Sequence, residues 1–280
     1  MITVRLKGGL GNQMFQYAAA RRLSLMHSTK VCLDISWYKN HINGSFRPFE
    51  LKNLAIQAPA IFRSYNIGGL STQQATRWVG ERLQSWGLRL PRIYVEPHFE
   101  FSETILNLPD HTILSGYFES ARNFGDIANH IRCEFRPRND KLIEEIQAAV
   151  KAVRRPHRAL VAVHVRRGDL RFIDKGRRLL PLDRILEAMG RFSGCDFLVF
   201  SDELDWCRMF IKGPNVIYSS FSTAIEDLFA MSVCDHQVIG PSTFAWWAAW
   251  LNLNPQKIVV EYDIEGATAY DAFPEGHWRC

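Results

Sequence analysis

The sequence contains no C-x-x-C pair, no H-E-x-x-H spacing and no strict D-x-D triplet. The first two absences remove the common zinc, dithiol and metallohydrolase patterns. The nearest approach to the third is Asp263-Ile-Glu265, so nothing asks for a metal and none is expected. The cysteines at 32, 133, 195, 207, 234 and 280 mostly sit beside apolar residues, which predicts reduced, buried thiols. Long apolar runs are also missing. The longest, Phe244–Leu251, has eight residues against the roughly 20 that span a bilayer. Ile2–Leu6 already mixes apolar and charged residues, so no signal peptide is expected. Basic blocks do not recur, and the net charge of 34 − 29 = +5 is mild, which argues against nucleic-acid binding. That bias suits phosphorylated ligands or an anionic membrane surface. A cytoplasmic protein is expected, with peripheral attachment to the inner membrane face left open.

What is present is a βα rhythm. The chain of 280 residues, 47% apolar, suffices for one large domain or two ordinary ones. Thr3–Leu6 reads as a strand, Gly8–Asn12 as a tight turn, Gln13–Ser28 as a helix and Val31–Asp34 as the next strand. Helices are expected around 71–90, a strand at Ile113–Tyr117 and an amphipathic helix at Asp140–Val153. The polar, proline-containing 154–158 segment is the expected linker between domains at 1–153 and 159–280. Beyond it, strands are expected at 159–165, 196–201, 216–218, 237–240 and 257–261, with helices near 181–193, 203–211, 223–233 and 243–252. This alternation predicts an α/β chain with a parallel, doubly wound sheet.

Chemistry concentrates at the ends of these strands. Leu160–Val165 is a β-prone run whose end carries His164, Arg166, Arg167 and Asp169. Open α/β sheets place ligands at the carboxyl ends of their strands, and two guanidinium groups there suit a phosphate. The alternative is pairing of both arginines with surface carboxylates. Asp169 and Asp174 are the local candidates for a general base; solvated loop acids are the alternative.

Gly8-Gly9-Leu10-Gly11-Asn12-Gln13 lets backbone approach a ligand at a helix N-terminus, and Asn12 and Gln13 add groups able to orient a hydroxyl. Met14 at the third glycine position rules out the dinucleotide fingerprint, and no Gly-Lys-Ser/Thr follows to make a P-loop. Asp202 ends a further strand, where ligand contact competes with capping of the next helix. Ser242 and Thr243 lie between strand and helix and form a second phosphate cradle. The tryptophans at 246, 247 and 250 read chiefly as helix packing. Together these edges suggest a nucleotide-diphosphate site.

Six segments then fit one family: Gly8–Ala18, Phe46–Leu51, Gly116–Ser120, His164–Asp169, Phe200–Asp202 with Trp206-Cys207, and Ser242–Trp247 with Leu251-Asn252. The chain resembles the α-1,2-fucosyltransferases of glycosyltransferase family 11, and the likeness spans nearly its whole length. The resemblance implies a GT-B fold of two Rossmann-like lobes, with the donor site in the cleft between them. The N-terminal lobe would face the acceptor and the C-terminal lobe would bind GDP-fucose. It implies metal-free, inverting transfer of L-fucose from GDP-β-L-fucose to the 2-hydroxyl of a terminal galactose on a glycan acceptor. Arg166 would hold the diphosphate and His164 would lie near ribose or guanine. By analogy with core α-1,6-fucosyltransferases, Asp227 would read the guanine edge, and Ser242, Thr243 and Phe244 would line the diphosphate. Asp174 sits where that group carries a proposed catalytic carboxylate. Of the arginines, Arg167 is the one expected to hold an Asp-paired structural role beside its donor contact. Pro241, Ala245 and Leu170 depart from the residues frequent in the family, as does the segment 260–280. The competing functions are a non-catalytic nucleotide-sugar or glycan-binding protein and a transferase using another nucleotide sugar.

Overall fold

A computed structural model of the protein describes residues 1–39, 47–62, 92–97, 101–171, 179, 181–262 and 278–279. The expected helices at 71–90 and Asp174 lie outside the described residues. In chain order the principal elements are β1 (Ile2–Arg5), α1 (Leu10–Met26), β2 (Val31–Asp34), β3 (Ala60–Ile61), β4 (Arg92–Val95) and β5 (Thr112–Ser115). There follow α2 (Ala128–Glu134), α3 (Asp140–Val153), β6 (Leu160–Val165), α4 (Leu182–Gly190), β7 (Asp196–Ser201), α5 (Leu204–Phe210) and β8 (Val216–Tyr218). The chain closes with α6 (Ala224–Ser232), β9 (His236–Ile239), α7 (Thr243–Leu251), β10 (Val259–Glu261) and β11 (Trp278–Arg279). These elements form two compact α/β units, each Rossmann-like and each built on a parallel sheet.

The first unit comprises Met1–Gly8, Gln13–Phe49 and Gln57–Ile127. Its strand order is β3-β2-β1-β5-β4, so the order reverses between β1 and β5. Central β1 is buried on both faces: Ile2 and Val4 on one and Thr3 on the other are all shielded from solvent. Residues 13–20 of α1 are buried around the whole helix, which is why its polar members need partners. Gln16 supplies them by accepting from the Lys7 amide at 3.0 Å and donating to the Lys7 carbonyl at 3.2 Å.

The second unit comprises Gly9–Asn12, Glu50–Ile56 and Ala128–Cys280. Its sheet runs β11-β10-β9-β6-β7-β8, with the reversal between β6 and β9. All six residues of β6 are buried. Val161, Val163 and Val165 share a core with Ile185 and Met189 of α4, Phe197 and Val199 of β7, and Val238 and Val260. The alternate position, His164, therefore lies on the opposite face of the strand.

The units divide between Ile127 and Ala128, upstream of the 154–158 segment read as a linker. The reason is tertiary. Phe135 meets Trp247 edge-on at 5.0 Å, and the Arg132 guanidinium stacks on Trp250 at 3.8 Å, so α2 packs with α7. The 154–158 segment is itself engaged: Arg154 pairs with Asp235 at 2.5 Å, and Arg158 pairs with buried Asp196 at 2.8 Å. Glu50–Ile56 joins this unit through backbone bonds from Ala55 to Arg136 and from Arg138 to Asn53, both 2.9 Å.

The sequence pattern passed over β3, β4, α2 and β11, all short or lacking periodicity. Cys32, Cys207 and Cys234 are buried free thiols, whereas Cys133 is exposed. No helix among the described residues is long and apolar enough to cross a membrane.

The tryptophans of α7 do pack, and Trp247 does more. It is fully buried, and its indole N–H donates to the Gly11 carbonyl at 3.0 Å. Trp247→Ala should lower the unfolding free energy by about 3–5 kcal/mol, read by chemical denaturation. An unchanged denaturation midpoint would show that the residue does not carry this packing.

Candidate donor site

At the end of β6, burial sets the chemistry of His164. It is 8% exposed, and desolvation pulls its pKa down to about 4, with Arg166 adding to the shift and Asp202 opposing it. The imidazole is therefore neutral at physiological pH. Its ring lies 5.7 Å from that of Phe244, and the His164 carbonyl accepts from the Tyr262 hydroxyl at 2.6 Å. The Nδ1 atom is buried without a hydrogen-bond partner among the described residues. Arg166 follows the strand directly and is half-buried.

Arg167 is arranged differently. Its guanidinium stacks on Trp206 at 3.7 Å and faces Glu203 at 3.6 Å, while its amide donates to Asp202 at 2.9 Å. Its side-chain partner is thus a glutamate, and the aspartate holds its backbone. A methyl group on Gly168 would lie 2.7 Å from the Asp202 carboxylate and push it off that amide. Asp202 does not cap α5; Ser201 Oγ accepts from the Glu203 amide at 2.9 Å instead. Asp169 opens a short turn, Asp169–Arg171, of which its backbone is described.

Across the switch point, β9 runs into Ser242, the extended residue before α7. Ser242 Oγ caps nothing; it is buried and has no partner among the described residues. The Thr243 hydroxyl donates to Asn12 Oδ1 at 2.6 Å. Gly11 approaches so closely that an added Cβ would sit 2.5 Å from the Phe244 nitrogen and 2.6 Å from the Thr243 carbonyl carbon. Here the glycine turn makes room for the start of α7, a use the sequence pattern did not reveal. Gly9 belongs to the same segment. Gln13 does not: it lies in the first unit, fully buried, donating to the carbonyls of Gly8 at 3.1 Å and Pro48 at 2.9 Å. Both amide protons are occupied within the fold.

A third edge follows β8. Ser219 donates to Asp227 at 2.8 Å, and burial raises the Asp227 carboxyl to about 6 despite that bond. The start of α6 is fixed by a capping box: Glu226 N–H donates to Thr223 Oγ1 at 3.2 Å, and Glu226 accepts from the Thr223 amide at 2.8 Å. The T-x-x-E spacing at 223–226 was a usable sequence signal for this start.

Strand register aligns these ends. His164 is opposite Phe200, Val165 opposite Ser201, and Val163 opposite Val238. One sheet edge of the second unit therefore presents a neutral imidazole, an arginine, an open hydroxyl and a half-buried carboxylate. Such an edge can bind a diphosphate beside a hydrogen-bonding base.

Known proteins resemble this chain in sequence and in fold. The profile of Glycosyl transferase family 11 matches residues 1–272. An alpha-1,2-colitosyltransferase of Escherichia coli is 25% identical over 299 residues, covering 98% of this chain and 97% of the relative. The O-antigen biosynthesis glycosyltransferase WbnK of Escherichia coli is 29% identical over 280 residues, covering 91% of each chain. The galactoside 2-alpha-L-fucosyltransferase Sec1 of Mus musculus is 27% identical over 268 residues, covering 90% of this chain and 64% of the relative. Among solved structures, the NodZ alpha-1,6-fucosyltransferase soaked with GDP-fucose matches with a TM-score of 0.52 at 14% identity, covering 89% and 92% of the two chains. At that identity the structural likeness speaks for the fold, a GT-B-like pair of α/β halves. The chain belongs to glycosyltransferase family 11.

Proposed function

We propose that the protein is an inverting α-1,2-fucosyltransferase that moves L-fucose from GDP-β-L-fucose to the 2-hydroxyl of a terminal galactose. The observation that carries this reading is the β6–β9 switch point, where Arg166, neutral His164 and the open Ser242 hydroxyl share one sheet edge. In this scheme the second unit binds the donor. The start of α7 at Ser242, Thr243 and Phe244 lines the diphosphate together with Gly9, Gly11 and Asn12, and His164 lies against the nucleoside. The first unit faces the acceptor.

The acceptor oxygen attacks the anomeric carbon as the sugar takes on oxocarbenium character, by analogy with glycoside chemistry. The bond to the β-phosphate oxygen breaks, and Arg166 stabilises the charge gathering on GDP. The acceptor proton passes to a carboxylate that we assign to the stretch of sequence after Arg166, which carries Asp169 and Asp174. Arg166 supplies positive charge, so the scheme requires no divalent cation. Transfer of colitose is the second reading, favoured by the relative of that activity that covers 98% of the chain.

Three measurements follow from this scheme. Purified protein in EDTA, given lactose and GDP-fucose, nucleotide-linked colitose or other nucleotide sugars in turn, should form 2′-fucosyllactose with GDP release. Binding of GDP without turnover of any donor would replace the transferase reading with a binding protein. Arg166→Ala should lower kcat by about 10²–10³ with an unchanged far-ultraviolet circular dichroism spectrum; wild-type turnover in that variant would remove the clamp. Asp227 must be ionised to accept two N–H groups of guanine. With its carboxyl at about 6, GDP affinity should fall as pH drops from 7 to 5, and Asp227→Asn should bind GDP weakly with that pH dependence gone. Equal pH dependence in calorimetric titrations of both proteins would contradict the assignment.

A further inference from the structure

The Gly116–Ser120 segment carries part of the family likeness yet has no place in the donor site. It follows β5 in the first unit, beside β1, at the crevice where that sheet's order reverses. Three strand ends contribute there: Lys7 lies just past β1, Glu96 just past β4, and the segment just past β5. Gly116 admits Glu96, because an added Cβ would lie 2.5 Å from Glu96 Cβ. The Glu96 carboxylate accepts from the amides of Tyr117 at 2.6 Å and Phe118 at 3.0 Å. Phe118 is held at φ +55, a left-handed conformation rare for a bulky residue, with its ring buried. Asn123 Nδ2 and the Ser120 amide donate to the Phe118 carbonyl at 3.0 and 2.8 Å and keep it there. A strained backbone is thus maintained around a fixed carboxylate.

Beside that carboxylate is a cavity of about 10 Å³, lined by Tyr94, Glu96, Phe101, Phe118, Glu119 and Asn123 among others. It takes one water-sized group. The Lys7 ammonium sits 3.9 Å from the Tyr117 ring centroid, within the fields of Glu96 and Glu119. Burial pulls Lys7 down and pushes Glu96 up, so both groups are partly withdrawn from water. Charged acceptors, a charged donor and aromatic walls are what a hydroxyl-rich ligand pairs with.

We propose that this recess is the hydroxyl-binding part of the acceptor site: one hydroxyl of a neutral terminal sugar enters it and donates to Glu96, while Lys7 and Glu119 bond neighbouring oxygens. Two carboxylates against one ammonium disfavour uronic and sialic acids. The inference rests on the glycosyl-transfer reading and adds the groups that the acceptor meets. A Glu96 that only braced the turn would be indifferent to individual acceptor hydroxyls, and this separates the two roles.

The test measures kcat/KM for wild type and Glu96→Gln with lactose and with monodeoxy lactoses that lack hydroxyls other than the one glycosylated. One deoxy analogue should cost the wild type about tenfold or more and cost Glu96→Gln less than about twofold. Lys7→Met leaves the Glu96–amide bonds in place; it should raise the acceptor KM about fivefold or more with the GDP-fucose KM unchanged. It carries the same analogue test if Glu96→Gln does not fold. Equal losses for every analogue in wild type and variants would overturn the inference alone. Absence of transfer by the wild type to any acceptor would overturn the fucosyl-transfer reading, and this inference with it.

Discussion

A methyl group does not fit at residue 11. The position faces backbone atoms of Thr243 and Phe244, which cannot rotate away. That constraint fixes the start of α7 against the Gly9–Asn12 segment. With Gly11 seated, its carbonyl receives the Trp247 indole N–H, and Asn12 comes within hydrogen-bond reach of the Thr243 hydroxyl. The Thr243 hydroxyl is spent on this lock, while its neighbour Ser242 keeps its own buried and open. A buried hydroxyl without a partner costs free energy, and a ligand that completes it recovers that cost. The same contact explains why Gly9–Asn12, with the first turn of α1, belongs to the second unit while the rest of α1 belongs to the first.

Electrostatics at the edge depend on burial. A protonated His164 beside Arg166 would place two positive charges in a poorly solvated position, and desolvation keeps the imidazole neutral. Positive charge is left to the arginines, which are not equivalent. Arg167 is stacked on Trp206 and faces Glu203, in an arrangement that braces the loop. Arg166 is the one the donor scheme uses. Asp227 follows the same rule with opposite sign: burial raises it to about 6, near the pH at which a guanine-reading carboxylate would switch.

Much of this was legible in the sequence because it is local. Leu160–Val165 declares a buried strand, the glycine turn declares a strand-to-helix junction, and Ser242-Thr243 marks the start of a helix. The parallel, doubly wound plan follows from their alternation. What was not legible is set by contacts between distant residues. The unit boundary falls at Ile127–Ala128 because Arg132 and Phe135 pack on tryptophans of α7, more than a hundred residues later. Gln13 looked like a ligand group from its motif, yet both its amide protons go to backbone carbonyls. Glu203 as the Arg167 partner, and Glu96 beside the Gly116 turn, carried no spacing signal.

The proposed transfer depends on a diphosphate clamp at the β6–β9 switch point of the second unit. A crystal structure of the protein with GDP bound tests it most directly. The β-phosphate is expected between the Arg166 guanidinium and the Ser242–Phe244 start of α7, with the guanine edge on Asp227. A nucleotide bound elsewhere, or a diphosphate held without Arg166, would contradict it.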